Sequence, residues 1–413
     1  MVTWHERLAR PGTLDPLQLG VLVLETATRT LTLVTIDAIA VDDELRHAIA
    51  ASAGIESSAL LLCASHTHSG PQEIVRRLHP IEPEHGDNAL RDTVVTRATE
   101  AITQARAMME PVSLSIADAD ASGAWTNRNT PDGPCDLRLR LLTTRREDGS
   151  LQTIVALSAC HPTILGVEST VVSADLNGGI RRAIASLPDA SRATVLSLTG
   201  AAGDISTRFI RQAATPAEID RLAGIATRNV PAALGSLREV TPSNTSLTHS
   251  RIEMPLPSFR EDLAADPQAE LESARLALDV ATATEPSPAA LRQAITRHQG
   301  AFLRAQMAAS VEIAPPMVVA EAWMLDAETV VVTLPVELFT SLGRRIERES
   351  PFAKTLIVGY TNGYAGYLAD ATAWDAGTYE ALASPFARRA GDVLVRDVGA
   401  MLRALAGGPE SYS

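Results

Sequence analysis

The sequence predicts an α/β fold: a single large mixed-sheet domain flanked by helices. Three observations predict it. Apolar runs of strand length, rich in Leu and β-branched residues, recur along the chain. Segments of helical periodicity lie between them, and several runs end in short polar or small-residue loops, the position at which α/β folds present chemistry. No internal repeat, low-complexity tract or flexible linker divides the 413 residues, so 1–413 is read as one domain.

In chain order, residues 17–39 (LQLGVLVLETATRTLTLVTIDAI) hold two apolar runs broken by a polar turn at 25–29, the pattern of two paired and buried strands. Residues 42–53 read as an amphipathic helix. Residues 59–64 (ALLLCA) form a third strand, which delivers Ser65-His66-Thr67-His68-Ser69-Gly70-Pro71. A long helix is predicted over 88–109 and strands over 112–116, 136–143 and 153–159, the last running into Cys160-His161-Pro162-Thr163. A helix at 178–187, a strand at 193–198, a tight loop at 199–207 (TGAAGDIST) and a helix at 216–235 follow. Residues 252–314 differ in kind, with Pro-bounded helical patterns at 267–280 and 288–309 and no catalytic cluster. They are read as an inserted helical pair, serving as a cleft roof or a dimer contact. Strands at 320–324, 329–334 and 355–360 complete the pattern, the second ending in Pro335-Val336-Glu337 and the third leading into TNGYAGYL at 361–368.

Composition narrows the function. A net charge of −13, from 36 basic and 49 acidic residues, argues against nucleic acid or an anionic membrane as partner, since both need clustered Lys and Arg. The odd set Cys63, Cys135 and Cys160 has no CxxC spacing, so neither a disulfide framework nor a cysteine zinc knuckle is expected. Residues 1–15 lack the apolar run of a signal peptide, and no stretch reaches the roughly 18 apolar residues of a membrane span. The expectation is a cytoplasmic protein without membrane insertion, acting on a small-molecule substrate and free to form a homo-oligomer.

His66 and His68 are two apart, so in extended chain both imidazoles face one side, a geometry that suits a metal. His161 occupies the same place after its own strand. Glu337 follows a strongly apolar run, where a carboxylate must be paired, solvated or metal-bound. Tyr364 and Tyr367 lie after the next strand among Gly363 and Gly366. Alone, each of these residues also suits a structural role. Together, His66, His161, Glu337 and a tyrosine all sit at C-terminal ends of separate predicted strands, and such ends converge in an α/β sheet.

Five ordered blocks carry a resemblance. Ser65 to Pro71 resembles the T-H-T-H-S-G/A-P motif of the neutral ceramidase family, and Cys160 to Thr163 its V-H-P-T segment. Gly203-Asp204-Ile205-Ser206 is similar to the G-D-V-S loop, Leu334 to Phe339 to the P-G-E-F block, and Asn362 to Tyr367 with Tyr379-Glu380 to N-x-Y-x-x-Y and Y-E. Asn127-Arg128 and Ser173-Ala174-Asp175 are fainter matches. The resemblance implies a metal site at strand ends in which His66, His161, Glu337 and Tyr367 hold Zn²⁺. It further implies that His68, Ser206 and Arg128 act on the substrate, with Tyr379 at the rim; apart from the resemblance, Tyr364 and Arg208 are also expected to contact substrate. Val336 replaces the family's Gly, and Thr207-Arg208 replaces Pro-Asn. Neither a C-terminal immunoglobulin-like domain nor a secretion signal is expected. These departures point away from a long uncharged lipid. Arg208 and Arg211 either place positive charge at a pocket mouth, where it would suit a carboxylate-bearing acyl amide, or lie in a solvated loop.

The chemistry so implied is amide (N-acyl) hydrolysis by metal-activated water, with His68 moving protons and Arg128 holding a polar group. Ser206 is either a nucleophile, a hydrogen-bond donor to the oxyanion, or a loop hydroxyl capping the backbone. Two other classes stay open: hydrolysis or acyl transfer of an ester or lactone at the same zinc site, and a catalytically idle binding protein.

Overall fold

The computed structural model describes residues 12–81, 84, 86–166, 168–241, 247–263, 266–284, 287–310 and 316–407. Residues 1–11 of the amino-terminal segment predicted to lack a leader, and 264–265, 285–286 and 311–314 of the predicted helical insertion, lie outside this set.

The α/β class is as predicted, but the strands are shared among several sheets. A three-stranded sheet pairs Leu19–Glu25 antiparallel to Thr30–Ile36, which runs parallel to Leu60–Ala64. A five-stranded sheet has the order Thr194–Thr199, Leu151–Ser158, Arg138–Arg146, Val112–Asp120 and Arg238–Val240, with only its first pair parallel. A four-stranded sheet orders Thr248–Pro255, Met317–Asp326, Thr329–Thr333 and Lys354–Val358, with its last pair parallel.

Side-chain alternation explains how these sheets assemble. Residues on one face of each, including Leu33, Leu61, Leu157, Leu198, Trp323 and Leu356, meet in one shared core. The other faces are covered by helices. Val34, Leu60 and Leu62 pack under Asp43–Ala53 and Asn88–Ala107. Leu139, Leu141, Ile154 and Ala156 pack under Asp175–Ala185 and Pro216–Thr227. Val318, Ala320, Val330 and Val332 pack under Thr340–Glu349 and Ala390–Gly407. A strand buried on both faces reads as a continuous apolar run. That is why ALLLCA and the 329–334 run were recognisable.

The insertion starts later than predicted. Residues 252–255 belong to the strand Thr248–Pro255, so the helices Pro267–Ala283 and Pro288–Ala309 are set between two antiparallel neighbours of one sheet. The predicted 216–235 helix is two, Pro216–Thr227 and Val230–Leu234.

Backbone hydrogen bonds stitch the C-terminal strand ends together. The Ala64 N–H donates to the Tyr360 carbonyl, Gly200 to Ser158, Gly359 to Thr199 and Thr361 to Leu334. Loops leaving all three sheets therefore start from one patch. Among the described residues, no helix is long and apolar enough to cross a membrane.

Candidate metal centre

His66 enters the patch directly after Leu60–Ala64 and His161 just after Leu151–Ser158. Glu337 opens a two-residue strand paired in parallel with Tyr367–Leu368. Gly203 passes so close to this strand that a β-carbon would lie 2.6 Å from the Glu337 carbonyl, and its N–H donates to Leu338. Only glycine fits there.

His66, His161 and Glu337 are buried and their ends converge. Glu337 Oε2 lies 2.8 Å from His161 Nε2 and 3.2 Å from His66 Nε2. His68, half-buried, brings Nε2 to 3.3 Å from His66 Nε2. The ligating atoms of His66, His68 and His161 all fall within 4.8 Å of one another.

The outer nitrogens define the chemistry. His66 Nδ1 lies 2.6 Å from the Ile39 carbonyl and His161 Nδ1 2.6 Å from the Ala202 carbonyl. A carbonyl only accepts, so each Nδ1 carries a proton, and each Nε2 faces the Glu337 carboxylate, where in the neutral tautomer it directs a lone pair. Three lone pairs facing one point repel unless a metal ion or shared protons sit among them. Tetrahedral zinc with bonds of 2.0–2.2 Å spaces its ligand atoms about 3.3 Å apart. The 3.2 Å separation of His66 from Glu337 matches that spacing, the 2.8 Å one of His161 is shorter, and two imidazoles with a carboxylate are a donor set zinc accepts.

Phenols surround the carboxylate. Tyr364, predicted at the substrate, donates to Glu337 Oε1 at 2.5 Å, and Tyr360 donates to Oε2 at 3.4 Å while stacking on His66 with ring centroids 4.0 Å apart. Tyr367, predicted as a ligand, has its hydroxyl 3.5 Å from His161 Nε2. Burial, reinforced in Tyr360 and Tyr364 by the Glu337 charge, raises the pKa of all three phenols well above the ordinary value, so they remain neutral donors. Burial lowers His161 to about 4, and Arg128 adds to the effect. Burial opposes the Glu337 charge, yet His66 and His161 hold its pKa well below the usual carboxylate range.

Arg128 is buried with its guanidinium 5.3 Å over the Tyr367 ring, and its Nε donates to Glu380 Oε1 at 2.5 Å. Tyr379 packs edge-on against Tyr367 at 5.7 Å. Ser206 lies in a two-residue strand paired with Thr126–Asn127, and its hydroxyl accepts the Arg208 N–H at 3.2 Å. The Arg208 Nη1 donates to the Arg128 carbonyl.

Sequence reasoning missed Tyr360, which was read as the end of a strand, and gave no role to Glu380. Asp204 was also left without one. It accepts from Asn127 and from the Thr340 N–H at the start of the helix after Glu337, tying the Gly203–Ser206 loop to that helix.

No family model matches the sequence, and no curated protein matches it. Solved structures do match, among them two ceramidases. The neutral ceramidase from Pseudomonas aeruginosa has a TM-score of 0.70 at 16% identity, over 93% of this chain and 68% of that one. A ceramidase complexed with C2 has a TM-score of 0.69 at 16% identity, over 93% and 69%. A likeness at this identity is a likeness of architecture, and the fold of this chain is that of the neutral ceramidases.

Proposed function

We propose that this chain is a zinc-dependent hydrolase of the neutral ceramidase kind, cleaving the amide (N-acyl) bond of a substrate smaller or more polar than ceramide. The observation that carries this reading is the convergence of the His66 and His161 Nε2 atoms on the Glu337 carboxylate, with both Nδ1 protons committed to carbonyls. Tyr367 is within reach of the same point. When bound, zinc would supply Lewis acidity and lower the pKa of water.

The remaining roles belong to the chain. Burial and the neighbouring His66 and His161 hold the His68 pKa well below its ordinary range, so the ring is neutral at pH 7 and can take a proton at the site and pass it to a leaving amine. Arg128 stays a cation through Glu380, and its Nη2, unpartnered among the described residues, is free to hold a substrate oxygen. Ser206 accepts from the Arg208 N–H, which leaves its own O–H to donate to an oxyanion. Tyr379 and Tyr364 line the approach.

Metal analysis of the purified protein together with a panel of N-acyl amides, esters and lactones tests the reading. The expected result is close to one equivalent of zinc and amide turnover, with both lost in His161→Ala. Less than about half an equivalent of tightly held zinc would favour a catalytically idle binding protein. Full zinc and full turnover in His161→Ala would show that the ligand set is wrong, and turnover confined to esters or lactones would replace the amide assignment.

A further inference from the structure

We infer that the substrate carries an anionic group, a carboxylate or a phosphate, received beside the metal centre by Arg208, Arg211 and Arg292. The role of this cluster as a substrate site rests on the hydrolase reading above.

The three arginines reach one place from two parts of the chain. Arg208 and Arg211 leave the loop after Ser206, and Arg292 comes from the inserted helix Pro288–Ala309. Arg208 Nη1 donates to the Arg128 carbonyl at 2.9 Å. Arg211 Nη1 donates to the Thr163 carbonyl at 2.6 Å, two residues after His161. Gln293, next to Arg292, donates through Nε2 to the Asn129 carbonyl at 2.7 Å, one residue after Arg128. Arg208 and Arg211 thus lie on the two loops that carry Arg128 and His161, and Arg292 is near enough to repel Arg128, Arg208 and Arg211.

All three are half-buried. The side-chain hydrogen bonds of Arg208 and Arg211 go to carbonyl oxygens, and among the described residues none of the three arginines pairs with a carboxylate. The carboxylates that attract them from farther off are already engaged: Glu380, near Arg208, by Arg128 and Asn129, and, near Arg211, Asp175 by the Ile164, Leu165 and Leu176 N–H groups and Glu218 by Arg221 and the Gln212 N–H. Burial and repulsion from Arg128, Arg292 and Arg211, partly offset by Glu380, lower the Arg208 pKa to about 10. Burial likewise lowers Arg211 and Arg292. Holding several desolvated cations together with no carboxylate directly paired to them is unfavourable. A bound anion removes the penalty. The guanidinium fork matches carboxylate and phosphate oxygens in bidentate geometry, which an uncharged lipid headgroup does not offer.

The test uses the metal-loaded protein and matched probes. N-hexanoylglycine and N-hexanoyl-O-phosphoethanolamine are compared with neutral N-hexanoylethanolamine. For charge on the acyl half, N-propylglutaramic acid is compared with N-propylhexanamide. Equilibrium binding is measured in the cold, and amine release separately. At least one charged probe is expected to bind about tenfold or more tightly than its neutral partner, a difference typical of hydrogen bonds to charged groups. That advantage should weaken with salt and fall about tenfold in Arg292→Met and in Arg211→Met, each checked for native circular dichroism. The better of the glycine and phosphoethanolamine probes tells carboxylate from phosphate. Equal binding within twofold in every pair, or no binding of any probe, overturns the inference. Amine release from charged and neutral probes alike would leave the hydrolase standing and remove the anion site. Selective anion binding without amine release would do the reverse.

Discussion

His66, Tyr360 and Asn362 have positive φ, at 64°, 55° and 59°, a region that costs a side-chain-bearing residue about 1–3 kcal/mol. Specific bonds hold each of them. His66 is anchored by its Nδ1 on Ile39, and Tyr360 by its carbonyl on the Ala64 N–H. Asn362 is held on both ends of its amide, accepting from the Leu62 N–H and donating to buried Glu321, which also receives Arg46 and faces His249. Strain of this kind, fixed by its surroundings, is how a fold aims side chains at one point. Ser206 is the residue whose role this geometry leaves for kinetics. If its hydroxyl donates to the oxyanion, Ser206→Ala should lower kcat by about 10²- to 10³-fold with zinc content unchanged. A loss of several orders of magnitude, with a burst of covalent product in the native enzyme, would make it the nucleophile. Activity within about twofold of native would leave only its bond to the Arg208 N–H.

The helix Asp43–Ala53 shows how one element is fixed in register with its neighbour. Asp42 caps its N-terminus through the Leu45 N–H, and the same carboxylate receives Arg91 from the helix Asn88–Ala107 and the Arg76 N–H. Burial opposes the charge, but these bonds hold the Asp42 pKa below its ordinary value. Because the folded pKa is the lower one, the stabilisation is present above the unfolded value of about 3.9 and disappears as pH falls through the folded pKa. Asp42→Ala should therefore cost about 1–3 kcal/mol near pH 7, combining a lost cap with a buried Arg91 left to Glu44 and the Ile74 carbonyl. In denaturant titrations the gap from the native protein should narrow below about pH 4, and a gap independent of pH would show that the charge contributes nothing. Elements of this kind, amphipathic and capped, were legible in the sequence. The strand Thr248–Pro255 was not, because His249, Arg251 and Glu253 alternate along an edge and mask its apolar side. Among site residues, His66, His161 and Glu337 were legible because each directly follows an apolar run. Tyr360 was hidden because a turn at its own backbone, rather than anything in composition, takes it out of the strand. Arg292 carries no signal at all, since a helical arginine looks the same in solvent or over a site.

At the scale of the molecule, the three converging groups belong to three sheets: His66 to the three-stranded one, His161 to the five-stranded one, and Glu337 to the loop after Thr329–Thr333 of the four-stranded one. A cation held by all three would act as a fastener between sheets whose inner faces share one apolar core. Its removal would leave the three groups joined only by protons shared between the imidazoles and Glu337 and by the backbone bonds at the strand ends. Metal bound to the native state and not to the unfolded chain adds stability by mass action, about 4 kcal/mol when free metal is 1,000 times its dissociation constant. The metal-loaded protein should thus lose several degrees of Tm on chelation, recover them when zinc is restored, and show in hydrogen exchange that the loops around residues 66, 161 and 337 open together. His161→Ala should sit near the chelated Tm and respond little to zinc. If the chelated protein, verified metal-free, melts where the loaded protein does, the convergence of these loops would have to be sustained by packing alone, and the cation would have no part in holding the sheets together.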